Sequence, residues 1–229
     1  RKVSISIPSL RVDSFSVDLA KKIQEIKKTG FTFACEAGTE RMLTVIRKEI
    51  SFGDLYAAVE SAYRAGWKLI KLYFMIGLPG ETQEDLDQIA GIIYKVSDIK
   101  RKVDGVPGNV NVTIASFVPK PHTPFQWVAM NPAQELRDKQ TYLKKKINGK
   151  RFHVKFHDIR KNVIEAVFSR GDRRLSKAVH AAWQMGARFD DWDEYFNYDL
   201  WLEAFRASGI DHEPFMKEFD VDDRLPWDI

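Results

Sequence analysis

The sequence predicts an α/β protein with parallel strands, followed by a mainly helical region. Strand-like apolar segments recur at Val3–Ile7, Phe31–Cys35, Lys68–Ile76 and Val110–Phe117, and helical spacing fills the chain between them. Parallel neighbours need a crossover, and a helix is the compact one. Beyond residue 158 helical patterns dominate, so the expected division is an α/β part at 1–158 and a helical part at 159–229.

The first strand alternates Val3, Ile5 and Ile7 with Ser4 and Ser6 and stops at Pro8. Leu19, Ala20, Ile23 and Ile26 then recur at helical spacing from Val17 to Lys28, with Thr29-Gly30 as the stop. Phe31–Cys35 is the second strand. Thr39 is placed to cap a helix running to Arg47, and Ser51 with Asp54 opens another that ends at Ala65-Gly66. Lys68–Ile76 is the third strand. Gly77-Leu78-Pro79-Gly80 breaks it, and Thr82 caps a helix from Gln83 to about Val96. The fourth strand, Val110–Phe117, follows a turn at Pro107-Gly108-Asn109. Pro132–Ile147 reads as a helix and Phe152–Phe156 as a further strand. Helices at Arg160–Ser169, Arg174–Met185 and Tyr198–Ser208 complete the chain, and Trp183, Trp192, Trp201 and Trp227 are expected to fill their core.

Composition narrows the function classes. An apolar content of 44% over 229 residues supports a sizeable core. No apolar stretch approaches the ~20 residues of a membrane span, and no export signal is visible. The single cysteine, Cys35, excludes an internal disulfide and fits a reducing cytoplasm. A net charge of +4 permits an anionic partner without demanding nucleic acid, because 36 basic residues stand against 32 acidic ones. The basic stretch Lys144–Lys150, with Arg151 and Lys155, reads as the solvated end of a helix and its turn. An RNA-binding or scaffold module is the non-enzymatic alternative. His153 and His157 would pair on a metal only if helical, and the local alternation favours a strand.

In parallel α/β proteins the loops after the strands meet at one face and form the ligand site. Here those loops are Glu36-Ala37-Gly38-Thr39-Glu40-Arg41, Gly77-Leu78-Pro79-Gly80-Glu81-Thr82 and Pro119-Lys120-Pro121-His122-Thr123-Pro124. Glu36 is suited to sugar hydroxyls, Gly38 to close backbone approach, and Thr39 with Arg41 to an anionic group at a helix start. Each loop is, in the plainer reading, a capped helix entry. Cys35 and His122 are a nucleophile and a base by type, with nothing in the sequence to bring them together.

Taken in order, Phe33–Arg41, Tyr73–Thr82 and Phe117–Pro124 resemble the fourth, fifth and sixth strand segments of the radical S-adenosylmethionine (radical SAM) superfamily. Ser9–Phe15, Arg170–Arg174 and Leu225–Asp228 resemble its Fe-S oxidoreductase subgroup that carries a cobalamin-binding-type domain ahead of the core. The resemblance implies a partial (β/α) barrel entered at its third strand and closed by the subgroup's helical extension. It implies S-adenosylmethionine, a [4Fe-4S] cluster held by residues outside this chain, a preceding region that carries the cluster loop, and cobalamin in the subgroup. That loop, Cys-x-x-x-Cys-x-x-Cys, does not occur in this sequence, so the isolated chain is expected to be inactive.

By the same resemblance Glu36 contacts the ribose, with support from Gly38 and Thr39, and Arg41 meets a carboxylate. Met75, Ile76 and Gly77 lie against the adenine, backbone groups near Phe117 and Val118 read its edge, and Ser9 and Arg11 face cofactor or substrate. The chemistry implied is hydrogen abstraction by a 5′-deoxyadenosyl radical, leading in some members to methyl or methylthio transfer. The substrate is not implied.

Overall fold

A computed structural model describes residues 30–228. The strand at Val3–Ile7, the helix at Val17–Lys28, and Ser9 and Arg11 lie outside the described residues. The described chain divides into two compact units. One holds the described residues through Ala115 together with Arg137–His157, and the other holds Ser116–Leu136 and the described residues from Asp158.

The first unit is built on a four-stranded sheet in the order β1 (Phe31–Glu36), β2 (Leu69–Ile76), β3 (Asn109–Ser116), β4 (Phe152–Phe156). The β1–β2 and β3–β4 pairs are parallel, with Phe31 opposite Ile70 and Val110 opposite Phe152. Helices α1 (Glu40–Val45) and α2 (Phe52–Arg64) join β1 to β2, α3 (Gln83–Asp104) joins β2 to β3, and α4 (Ala133–Lys146) precedes β4. The fold class is α/β, as the alternation predicts.

Period-two alternation sorts the strand residues onto two faces. Phe33, Cys35, Ile70, Leu72, Phe74, Ile76, Val110, Val112 and Ile114 are buried, and α2 and α3 pack together with α3 against β2. Each such side chain contributes roughly 1.5–3 kcal/mol on burial. The opposite face carries Thr32, Lys71, Tyr73, Met75, Asn111, Thr113, His153 and Lys155, all partly or fully exposed. Register places Thr32 opposite Lys71 and Asn111 opposite His153, so this face is polar from β1 to β4.

Helix α3 runs well past the expected end near Val96, to Asp104. Its last turns read as polar in sequence, but Ser97 and Ile99 are buried there. The Ser97 hydroxyl donates to the Gly108 carbonyl at 2.8 Å, which satisfies the buried oxygen. Gly105, in the left-handed region at φ 83°, ends the helix.

In the second unit, α5 (Ile159–Arg170), α6 (Leu175–Gln184), α7 (Tyr198–Ala207) and a 3-10 turn (Glu213–Met216) enclose a core of Ile164, Val167, Leu175, Ala178, Ala182, Trp201, Phe205 and Phe215. The expectation that the C-terminal tryptophans fill this core holds for Trp201 and fails for Trp183 and Trp192, which are 55% and 61% exposed. Helix α6 turns Leu175, Ala178 and Ala182 inward, leaving Trp183 off that stripe. There it stacks with His180 and lies beneath Arg188 at 4.8 Å.

Candidate functional site

The exit of β1 is irregular. Register shifts between Ala34 and Glu36, and Glu36 takes φ 67°, a left-handed conformation uncommon for a residue with a Cβ. Bulges of this kind re-aim a side chain and concentrate next to active sites. The Glu36 carboxylate is 26% exposed and accepts from Lys48 Nζ at 3.2 Å. One ion pair leaves other lone pairs of that carboxylate open to further donors.

Gly38 is required by packing. A Cβ there would lie 2.1 Å from the Asp85 carbonyl oxygen and 2.8 Å from the Ile89 nitrogen, so the β1 exit can approach the first turns of α3 only without a side chain. Thr39 caps α1, accepting from the Met42 N–H at 3.2 Å, and its hydroxyl donates to Asp85 at 2.5 Å. Arg41 Nη2 donates to Asp85 and, at 3.1 Å, to the Gly80 carbonyl.

Asp85, 2% exposed, is therefore the hub. Its carboxylate also accepts from the Thr82 N–H at 2.7 Å and the Thr82 hydroxyl at 2.8 Å, closing the α3 capping box. Burial pushes its pKa up, but the bonds from Thr39 and Thr82 and the Arg41 charge outweigh burial and hold the pKa below the ordinary value. Four donors thus stabilise a buried anion and join the turns leaving β1 and β2.

The β2 exit is fixed by a second carboxylate. Gly77, at φ 82°, donates its N–H to Glu81 at 2.8 Å, and Lys139 reaches the same carboxylate at 2.9 Å. Glu81 has only 2% of its side chain exposed. Burial raises its pKa, with the Gly77 bond and Lys139 opposing. Ile76 and Gly77 are buried and Met75 is partly exposed on the polar face.

Phe117 and Val118 directly follow β3 and belong to the second unit, where the Phe117 ring meets Phe125 edge-on at 5.6 Å. Cys35 is buried and its thiol pKa is pushed up by burial and by Glu36, which makes it inert as a nucleophile. His122 is exposed, at φ 57°, in the second unit. A cleft of about 660 Å³ at the α1–α2 turn is lined by residues including Arg47, Lys48 and Asp54, and it meets the β1 exit at Glu40 and Lys48.

Residues 1–93 match the family model of the radical SAM superfamily. Within the radical SAM match fall Glu36, Thr39, Arg41, Gly77, Glu81 and Asp85, so the polar network of the two strand exits lies in the matched stretch apart from Lys139. Uncharacterized protein MJ0966 of Methanocaldococcus jannaschii is 32% identical over 175 residues, 76% of this chain and 37% of that protein. Uncharacterized protein MJ1620 of the same organism is 25% identical over 123 residues, 54% of this chain and 22% of that protein. The chain thus spans about a third of the first relative and about a fifth of the second.

Sequence reasoning places Asp85 in the first turn of its helix and Glu81 in the β2 exit loop without giving either a ligand role, and it passes over Lys48 and Lys139. The Thr82-x-x-Asp85 spacing carries a signal for the first as a capping box. The others become partners only through the fold. Among the described residues no group of three or more His, Cys, Asp or Glu is arranged to hold a metal ion, and no helix is long and apolar enough to cross a membrane. Part of the basic stretch is engaged internally: Lys146 pairs with Asp87, Lys144 lies over the Phe156 ring at 5.2 Å, and Arg151 lies over the Phe152 ring at 4.7 Å, while Lys145, Lys150 and Lys155 are exposed.

Proposed function

We propose that this chain is the later part of a radical SAM Fe-S enzyme whose β1 and β2 exits hold the adenosine end of S-adenosylmethionine. The observation that carries this reading is Glu36. It is a strained, partly exposed carboxylate on a bulge at the end of a parallel strand, inside the segment that matches the family. Strain of this kind persists where the surroundings over-determine it, and it clusters at ligand sites.

When bound, the cluster and S-adenosylmethionine supply a 5′-deoxyadenosyl radical for hydrogen abstraction. Binding and orientation fall to the chain. Glu36 accepts from ribose hydroxyls. Gly38 and Thr39 set the height of that loop, and Arg41 offers a carboxylate the N–H donors left beyond those given to Asp85 and Gly80. Met75, partly exposed, lies against the adenine together with the backbone of Ile76 and Gly77. By resemblance alone, the backbone near Phe117 and Val118 is assigned to the adenine edge and Ser9 and Arg11 to cofactor or substrate.

The cluster itself does not fit this chain's residues. Three thiolates are needed, and the sole cysteine is buried with its thiol held protonated. Its ligands therefore belong to a region outside this chain, and the isolated chain is inactive on this reading. Association with a cobalamin-binding domain, methyl or methylthio transfer and a cytoplasmic location draw support from sequence resemblance and composition.

The test is anaerobic reconstitution of the full-length protein, followed by assay of 5′-deoxyadenosine formation. A cluster spectrum with S-adenosylmethionine cleavage, weakened at least tenfold in Km by Glu36→Gln, is expected. A reconstituted protein with a cluster but no cleavage would sink the reading.

A further inference from the structure

Arg170, at the end of α5, is fully buried. Among the described residues none gives its three guanidinium nitrogens a hydrogen-bond partner. Its guanidinium carbon sits 4.0 Å from the centroid of the Phe219 ring, a contact that accommodates the cation without satisfying its N–H groups. Carboxylates close in sequence are committed elsewhere. Asp172 takes Arg174 at 2.7 Å and Glu165 takes Lys120 at 2.5 Å. The Ser169 hydroxyl also receives Lys120, at 2.9 Å.

Burial pulls the Arg170 pKa down to about 10, which still leaves a full charge at neutral pH. A buried cation without a counter-ion is costly, and five unmatched N–H donors in a planar fork specify what would satisfy it. The surroundings add to this. Trp127 carries a buried indole N–H with no acceptor among the described residues, and its carbonyl accepts the Phe219 N–H at 2.8 Å, tying it to the segment stacked on Arg170. On α5, Asn162, Ala166 and Arg170 recur at four-residue spacing and are all buried, which places them on one stripe of the helix. Among the described residues, the three Arg170 nitrogens and Trp127 Nε1 are donors without acceptors, and Asn162 Oδ1 is the one acceptor of this group without a donor.

We propose that Arg170 is the centre of a binding site in the second unit for a small oxyanion group, a carboxylate or a phosphate. The fork geometry suits two parallel N–H···O bonds to either. Access is through the segment Lys217–Asp228, which forms no helix or strand and is largely exposed. It is fastened near Arg170 by the Phe219–Trp127 bond and by Trp227 Nε1 donating to Gln126 at 2.8 Å. Swinging this strap lifts the Phe219 ring from the guanidinium. The site does not depend on the radical SAM reading, since no residue of the β1 or β2 exits takes part.

The full-length protein is titrated with sodium phosphate and, separately, sodium acetate, against sodium chloride at matched ionic strength, with melting temperature as the readout. A saturable rise with phosphate or acetate but not chloride is expected, and which anion gives it identifies the ligand class. Arg170→Lys keeps the charge and loses the fork, and should weaken that binding at least tenfold. No saturable rise with either anion, or an unchanged affinity in Arg170→Lys, overturns the proposal. If the variant does not fold, crystals of the parent protein soaked in arsenate decide it. Anomalous density on the Arg170 guanidinium supports the site, and arsenate absent from Arg170 removes it.

Discussion

The hydroxyl of Thr39 donates to the carboxylate of Asp85 at 2.5 Å across a sequence separation of 46 residues. Through this bond the turn leaving β1 and the turn leaving β2 become one structural object. Arg41 and Thr82 meet the same carboxylate, so the geometry of both strand exits depends on one buried anion.

Replacing Asp85 with Asn is expected to lower stability by about 1.5–3 kcal/mol, the usual worth of bonds to a charged acceptor. The folded-state pKa of Asp85 lies below its ordinary value of 3.8. Its contribution is therefore present above that value and is lost as pH falls through the folded pKa. Urea denaturation from neutral pH to pH 2 should show a flatter acid limb in Asp85→Asn than in the parent.

Glu81 has the opposite sign. Burial raises its folded pKa above 4.5, so the native state binds more protons than the unfolded chain just above that value. Its contribution is fully present below 4.5 and declines as pH rises through the folded pKa. Lys139→Met removes a charge that opposes the shift and should extend the decline to higher pH, whereas Glu81→Gln should abolish it. Equilibrium unfolding across the weakly acidic range reads both.

Glu36→Gly trades function for stability. A left-handed backbone costs a residue with a Cβ roughly 1–2 kcal/mol, and the partly exposed Lys48 pair returns no more than about 1 kcal/mol. The variant should unfold at a higher urea concentration than the parent while S-adenosylmethionine binding by the full-length protein falls. A variant no more stable than the parent would show that the conformation carries no strain.

Gly38→Ala should destabilise by about 1–3 kcal/mol, as overpacking does in a close-packed contact. The added methyl meets backbone atoms of α3 at 2.1 and 2.8 Å, which cannot rotate away. A lowered denaturation midpoint, with α3 amides near Ile89 exchanging faster, is the expected result.

Cys35 should resist alkylation by iodoacetamide in the folded protein and react rapidly in urea, because it is buried with its thiol pKa raised. Rapid labelling under native conditions would contradict its placement in the β1 core.

Local signals in the chain were enough to mark the described strands, the starts of most helices and several of their caps. Apolar segments between turn signals marked β1 to β4, Thr39 and Ser51 stand at helix starts with their hydroxyls accepting the capping N–H, and Thr82 stands at a third with its own N–H bonded to Asp85. Those signals act within about four residues along the chain, the reach of one helical turn. The extension of α3 to Asp104, the hub role of Asp85, the close approach at Gly38 and the unmatched guanidinium of Arg170 were decided by tertiary structure. Each depends on which distant groups share a desolvated space, and a buried charge or missing Cβ has no energetic meaning until folding has removed the water around it.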